Sequence, residues 1–281
     1  MIRAVVTDLD GTIVRADGTV SPRMVEAAKA LQRKGIPLIA ATARTPAGLR
    51  AQEDLDGLFT MAVCSTGAIG WAAGELLWQH RFAEQQIRAV VEAAHRLPGA
   101  GVGAYDGVQW LMTQAYATHR GWQSRGPSIV VEVEQVLLAS ASAMAACVPG
   151  MTPLAVIEAL TAYGVRGDTA NLTTAGRNVV DITPPGVDKA FGVAQALHRL
   201  GIDPADVVAF GDMPADITML RLAGCGVAVG EGHPDVVAAA DRVALDVHAD
   251  GVPVMLELLG VLEERPERAE VEEQVGGAAQ E

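Results

Sequence analysis

Short apolar runs and helical patterns alternate along the first part of the chain. Ala4 to Thr7 is an apolar run that ends at Asp8 and reads as a buried strand. Ser21-Pro22 puts an N-cap residue before a proline at the first helical position. Val25, Ala28 and Leu31 then recur at helical spacing until Gly35. Pro37 to Ala41 is a second apolar run, Thr45-Pro46 opens a second helix, and Met61 to Cys64 reads as a third strand. Strand alternating with helix predicts a parallel sheet covered by helices.

The same alternation returns near the end. Asp188 caps a helix reaching about Leu200 and closed by Gly201. Val207 to Phe210 and Cys225 to Val229 read as strands, with a helix between them ending near Gly224. A last helix is expected from about Val252 to Leu262. The middle differs. A helix from Glu84 to Leu97 leads into Gly101 to Tyr105, and Asp106-Gly107 then separates that run from Val108 to Thr113, a hairpin signal. Ser142 to Cys147 reads as a strand and Thr152 to Tyr163 as a helix. Thr169 to Thr173 and Asn178 to Thr183 read as paired strands around Ala175-Gly176. The expected fold class is α/β, a Rossmann-like parallel-sheet core with an inserted α+β domain. The core takes 1–83 and 184–262, and the insertion takes 84–183. The glutamate-rich tail, 263–281, is expected to be disordered.

Half of the 281 residues are hydrophobic, enough for a substantial core. The formal net charge of −13 argues against nucleic acid or an anionic membrane surface as a partner. An anionic small molecule would need a local positive site. Cys64, Cys147 and Cys225 are odd in number and widely spaced in apolar stretches, so they read as reduced, buried thiols. The apolar Ile2 to Val6 leads directly to Asp8, which leaves no signal peptide to expect. No run is long enough to span a bilayer, and a cytoplasmic protein is the expectation.

Candidate chemistry collects at strand ends. Asp8 and Asp10 in Asp-Leu-Asp-Gly-Thr are two apart, so they start on the same side of the chain. Paired carboxylates need a cation or a shared proton, and Mg²⁺ suits hard oxygen ligands. Thr42, at the end of the second strand, can donate to a phosphate oxygen. Arg44 can pair with an anion, although a solvated arginine at a helix start reads equally well. Lys189 opposes the dipole of the helix that it begins, a small cost that function could explain; by itself the favoured reading is a surface lysine. Asp212, at the end of its strand, and Asp216, one helical turn on, read as metal ligands. In an open α/β sheet, ligands bind beyond the carboxyl ends of the strands, and Asp8, Thr42 and Asp212 come from three such ends.

With these residues in place, the chain resembles a haloacid dehalogenase-superfamily hydrolase of the Cof-like branch. Asp8-Leu9-Asp10-Gly11-Thr12, Thr42, Lys189 and Gly211-Asp212-Met213-Pro214-Ala215-Asp216 match that family's four motifs in order. The resemblance covers 1–262 and identifies 84–183 as an α+β cap. It implies a Mg²⁺-dependent phosphatase acting on a small phosphorylated metabolite, with sugar phosphates first, as a monomer or homodimer. By the resemblance, Asp8 is the nucleophile and forms an aspartyl-phosphate, and Asp10 is the general acid and base. Thr42, Ala43, Arg44 and Lys189 surround the substrate. Mg²⁺ is held by Asp8, the Asp10 backbone carbonyl, Asp212 and Asp216. Tyr105, Trp110, Tyr116 and Arg120 stand in the cap and read as packing or surface residues. The chain departs from the family at Ala43, where Gly is common, and at Thr66, Ala215 and Glu231, where Asn is usual. A phosphomutase on the same scaffold and a non-catalytic sugar-phosphate sensor are the alternatives. An aspartyl-phosphate signalling receiver is disfavoured by the insertion and by Asp10.

Overall fold

The computed structural model of the protein describes residues 1–120, 126–175, 178–230 and 232–263. The expectations for Gly176, Glu231 and the tail from 264 onward fall outside these residues, as does the side chain of Arg120. Strands β1 (Ala4–Thr7), β2 (Leu38–Ala41) and β3 (Met61–Cys64) form where the apolar runs place them. They pair in parallel with β1 beside β2 and β2 beside β3. The intervening helix Pro22–Arg33 starts at Ser21, whose hydroxyl accepts from the Met24 amide. It buries Met24, Ala27, Ala28 and Leu31 in one cluster with Val5 and Leu38. Burial of a Leu or Met side chain contributes about 1.5–3 kcal/mol, against ~1 kcal/mol for the cap, so packing holds this helix.

The sheet then continues where no strand was expected. β4 (Ile69–Ala72) and β5 (Glu75–Gln79) form an antiparallel hairpin on the edge of β3. Ala73 and Gly74 both have positive φ, the conformation of a two-residue hairpin turn, but alanine gives little sign of it in a sequence. Gly70 is required here because a Cβ would lie 2.1 Å from the Trp78 ring.

A second sheet is built from β6 (Gly101–Tyr105), β7 (Trp110–Met112), β8 (Ser128–Val130), β9 (Ala143–Cys147), β10 (Asn171–Ala175) and β11 (Val179–Thr183). Its order is β10-β11-β9-β6-β7-β8, antiparallel except for β7 with β8. The β6–β7 hairpin exists, but its loop spans four residues rather than two. Asp106 Oδ1 accepts from the amides of Val108 and Gln109, and pairing resumes at Tyr105 with Trp110. Helices Glu84–His95, Val133–Leu137 and Pro153–Ala162 contribute to the separate apolar cluster of this unit.

The chain then returns to the first sheet through β12 (Val207–Gly211), β13 (Cys225–Val229) and β14 (Arg242–Ala244). The order is β14-β13-β12-β1-β2-β3-β4-β5, with β1 at its centre, between β12 and β2. The last helix, Gly251–Leu258, is shorter than expected, since Gly260 has φ +68° and Val261 folds back to donate to Leu256. Polar contacts join the two units: Gln79 Nε2 donates to Ser142 Oγ at 2.6 Å and Asn171 Nδ2 donates to the Val187 carbonyl at 3.1 Å. Tyr105 is buried in the cluster of the first unit. Among the described residues no helix is long and apolar enough to cross a membrane.

Candidate active site

The central position of β1 makes this the point where the sheet reverses its winding, and such points leave a crevice at the carboxyl ends of the strands. Asp8 follows β1 immediately, and its amide donates to the Phe210 carbonyl of β12 at 2.9 Å, extending the ladder by one step. Asp212 follows β12 directly. Thr42 follows β2, with its amide on the Val63 carbonyl at 2.9 Å. One oxygen from each of Asp8, Asp212 and Asp216 lies within 4.8 Å of the others.

Lys189 reaches this cluster from the start of the helix Lys189–Leu200. Asp188 caps that helix by accepting from the Phe191 amide at 2.8 Å. The Lys189 ammonium donates to Asp8 Oδ1 at 2.6 Å and to Asp216 Oδ1 at 2.5 Å, and all three residues are buried. A lysine that taken alone favours a surface reading is thus at the centre of the site. Its close approach depends on Gly67, where a Cβ would stand 1.9 Å from the Asp188 carbonyl oxygen.

Asp216 ends a 3₁₀ turn, Pro214–Asp216, rather than lying one α-helical turn beyond Asp212. Its Oδ2 accepts from the amides of Asp212 and Met213 at 3.1 and 2.9 Å, so it fixes the loop as well as the lysine. Asp212 Oδ1 accepts from the Thr12 hydroxyl at 3.0 Å. In the sequence Thr12 is only part of the motif, and its contact across 200 residues carries no local signal. Gly11, with φ +93°, leaves the space that the Asp212 carboxylate occupies; a Cβ there would be 2.4 Å from Oδ2.

Asp10 departs from expectation. Strand β1 stops at Thr7, and the amides of Thr12, Ile13 and Val14 all turn back to the Leu9 carbonyl. The two-residue alternation therefore ends before Asp10. Its carboxylate is half exposed, stands outside the cluster, and is gripped by Arg44 Nε and Nη2 at 2.8 and 2.6 Å. A metal contact from Asp10 would have to come from its backbone carbonyl. Ala43 is exposed between Thr42 and Arg44. Thr42 Oγ1 accepts from the Arg44 amide at 3.1 Å, which leaves its own proton to donate.

The loop after β3 holds this segment in place. Ser65, Thr66 and Gly67 have φ of +50°, +52° and +106° in succession. The Ser65 amide donates to the Arg44 carbonyl at 2.8 Å and the Thr66 amide to the Thr42 carbonyl at 3.0 Å. A β-branched residue in the left-handed region is strained, and such strain collects at functional sites.

Burial pushes the Asp8 carboxyl up to about 8, against the pull of Lys189 and with Asp216 and Asp212 adding to the rise. Burial and then Asp216 bring Asp212 up to about 6. Burial works to lower the Lys189 pKa, but Asp216 and Asp8 together outweigh it and hold the ammonium above its ordinary range. Three carboxylates thus face one ammonium, and their charge is under-compensated. An all-oxygen donor set with excess negative charge fits a hard divalent cation such as Mg²⁺. The cysteines have no part in the site: burial pushes Cys64 up to about 12, and no described cysteine forms a disulfide.

A family model described as haloacid dehalogenase-like hydrolase matches residues 5–256. The chain belongs to this family. It is 29% identical over 263 residues to a phosphoglycolate phosphatase of Methanopyrus kandleri, covering 92% of this chain and 97% of that one. It is 26% identical over 261 residues to the chloroplastic endoribonuclease YBEY of Arabidopsis thaliana. That match takes in 87% of this chain and 44% of the relative, so the chain spans less than half the length of that protein. Among solved structures, a subclass IIB sugar phosphatase of the haloacid dehalogenase superfamily superposes with a TM-score of 0.80 at 22% identity, over 92% of this chain and all of that one. The last likeness shows that the fold is shared.

Proposed function

We propose that this member of the family is a phosphatase for small-molecule phosphate monoesters, acting through an aspartyl-phosphate on Asp8. The observation that carries this reading is the setting of Asp8, a buried carboxylate at the carboxyl end of the central strand, with Lys189 2.6 Å from one oxygen.

An Asp8 oxygen attacks phosphorus in line as the bond from phosphorus to the alcohol oxygen breaks. Lys189 and the Thr42 hydroxyl hold oxygens of the transferring group and offset its charge. Asp10 gives a proton to the leaving oxygen. It then takes one from the water that attacks the aspartyl-phosphate, which restores the Asp8 carboxylate and releases phosphate. Asp8, Asp212, Asp216 and the Asp10 carbonyl would hold Mg²⁺. When bound, Mg²⁺ supplies the charge neutralisation that lets an anionic carboxylate meet an anionic phosphate. Residues 84–183 act as a cap that excludes bulk water and selects the alcohol. The named relatives support sugar phosphates and phosphoglycolate as the first esters to test.

The test is phosphate release from a panel of esters with Mg²⁺ and with EDTA, beside Asp8→Asn. Metal-dependent release that falls at least roughly 10³-fold in the variant supports the reading. Folded protein that releases phosphate from no ester in the presence of Mg²⁺ overturns it.

A further inference from the structure

Arg44 is the fixed half of its ion pair with Asp10. Its side chain is 8% exposed, whereas that of Asp10 is 48% exposed. Arg44 Nη1 donates to Gln52 Oε1 at 2.5 Å, and Gln52 Nε2 in turn donates to the Gly18 carbonyl at 2.6 Å. The Arg44 backbone is pinned at both ends, by the Ser65 amide on its carbonyl and by Thr42 Oγ1 on its amide. What remains is the Nε–Nη2 edge, which holds both oxygens of the half-exposed Asp10 carboxylate. Two parallel bonds to a planar carboxylate are the geometry in which guanidinium recognises that group best.

We propose that this edge of Arg44 is a binding subsite for a carboxylate carried on the alcohol portion of the substrate, and that Asp10 occupies it until substrate arrives. The inference rests on the phosphatase reading above and narrows it to phosphate monoesters of hydroxy acids, sugar acids included. It also couples recognition to chemistry. While Asp10 has both oxygens on Arg44, neither is presented to a leaving oxygen. A substrate carboxylate takes over the fork, and Asp10, released from the guanidinium, takes a proton from solvent and stands beside the ester bond whose oxygen it then protonates. A neutral alcohol leaves the fork with Asp10, and Asp10 can serve it only by breaking the ion pair without replacement. The enzyme would thus favour acid-bearing esters both in binding and in the proton-transfer step.

The experiment compares matched esters that differ in that one group: phosphoglycolate against 2-hydroxyethyl phosphate, and 3-phosphoglycerate against glycerol 3-phosphate. Wild-type, Arg44→Gln and Arg44→Lys proteins are assayed with Mg²⁺, and thermal melting verifies that each is folded. The expected result is a wild-type preference of roughly 10- to 100-fold in kcat/KM for the acid of each pair, seen in kcat as well as KM. Arg44→Gln should collapse the preference to near one. Arg44→Lys, which keeps the charge without the fork, should restore only part of it. Equal turnover of both members of each pair by wild type overturns the subsite while leaving the phosphatase reading intact. So does an Arg44→Gln loss that is the same for acid and neutral esters, since the arginine would then serve only to hold Asp10. No release from any ester by folded protein removes the phosphatase reading, and the subsite with it.

Discussion

Lys189 Nζ lies 2.6 Å from Asp8 Oδ1 although 181 residues separate the two in the chain. The same ammonium touches Asp216, so its removal would leave two buried carboxylates without the cation that faces them. Breaking a buried pair from one side typically costs about 3–5 kcal/mol. Lys189→Met should therefore lower stability by several kcal/mol in EDTA and by visibly less with saturating Mg²⁺, as read by urea unfolding. A variant as stable as wild type in EDTA would show that the carboxylates do not need the lysine.

The metal-free protein should lose stability as pH rises from about 5 to about 8. The Asp8 and Asp212 carboxyls stand at about 8 and about 6 in the folded chain, above their ordinary value of 3.8. Across that window the folded state binds more protons than the unfolded one. The stabilisation is complete below about pH 4 and is lost as pH climbs through the raised values. Lys189, also raised, keeps its contribution throughout and loses it only at alkaline pH. Mg²⁺ competes with the same protons, so the increase in Tm on adding Mg²⁺ should grow between pH 5 and 8. Melting curves with EDTA and with Mg²⁺ test both trends, and an Mg²⁺ effect that is constant with pH would contradict them.

Gly67→Ala should destabilise the fold by about 3 kcal/mol and remove most of the activity. Its Cβ would have to stand 1.9 Å from the Asp188 carbonyl, and Gly67 has φ +106°. The Lys189–Leu200 helix would be pushed away from the cluster that its first residue serves. Denaturant unfolding and turnover of the best ester check this; a variant that unfolds at the wild-type urea midpoint would contradict it.

Thr66→Asn should stabilise the protein by about 1 kcal/mol. Thr66 is buried with φ +52° and ψ +39°, a conformation that asparagine tolerates far better than a β-branched residue. The backbone bond from residue 66 to Thr42 is unaffected by the change, so the site should keep its shape. A lower Tm for the variant would mean that the threonine side chain contributes more than its backbone costs.

Much of the fold was legible in the sequence, and the reason is local. Strands β1, β2 and β3 are apolar runs buried on both faces, and Ser21, Thr45 and Asp188 each cap a helix with the predicted side chain. The β4–β5 hairpin was missed because its turn uses Ala73, whose positive φ is imposed by the strands on either side. The β6–β7 loop is longer than the Asp-Gly pair suggests because Asp106 makes its turn with its side chain, through Val108 and Gln109.

By itself, the sequence determined which residue types would meet at the carboxyl ends of the strands, because Asp8, Thr42 and Asp212 each sit within two residues of the end of a recognisable strand. Only the tertiary structure decided their partners. Lys189 reads as a surface residue until the helix it begins is brought against Gly67. Arg44 reads equally as an anion partner or as a solvated arginine until Gln52 and Asp10 close around it. Thr12 means little until it finds Asp212 from 200 residues away. Spacing along the chain sets the face of an element, but contacts between distant segments depend on how the sheet is ordered and on which glycines let backbones approach. Those are properties of the packed molecule, and they separate Asp10, held at the mouth of the crevice, from Asp8, buried within it.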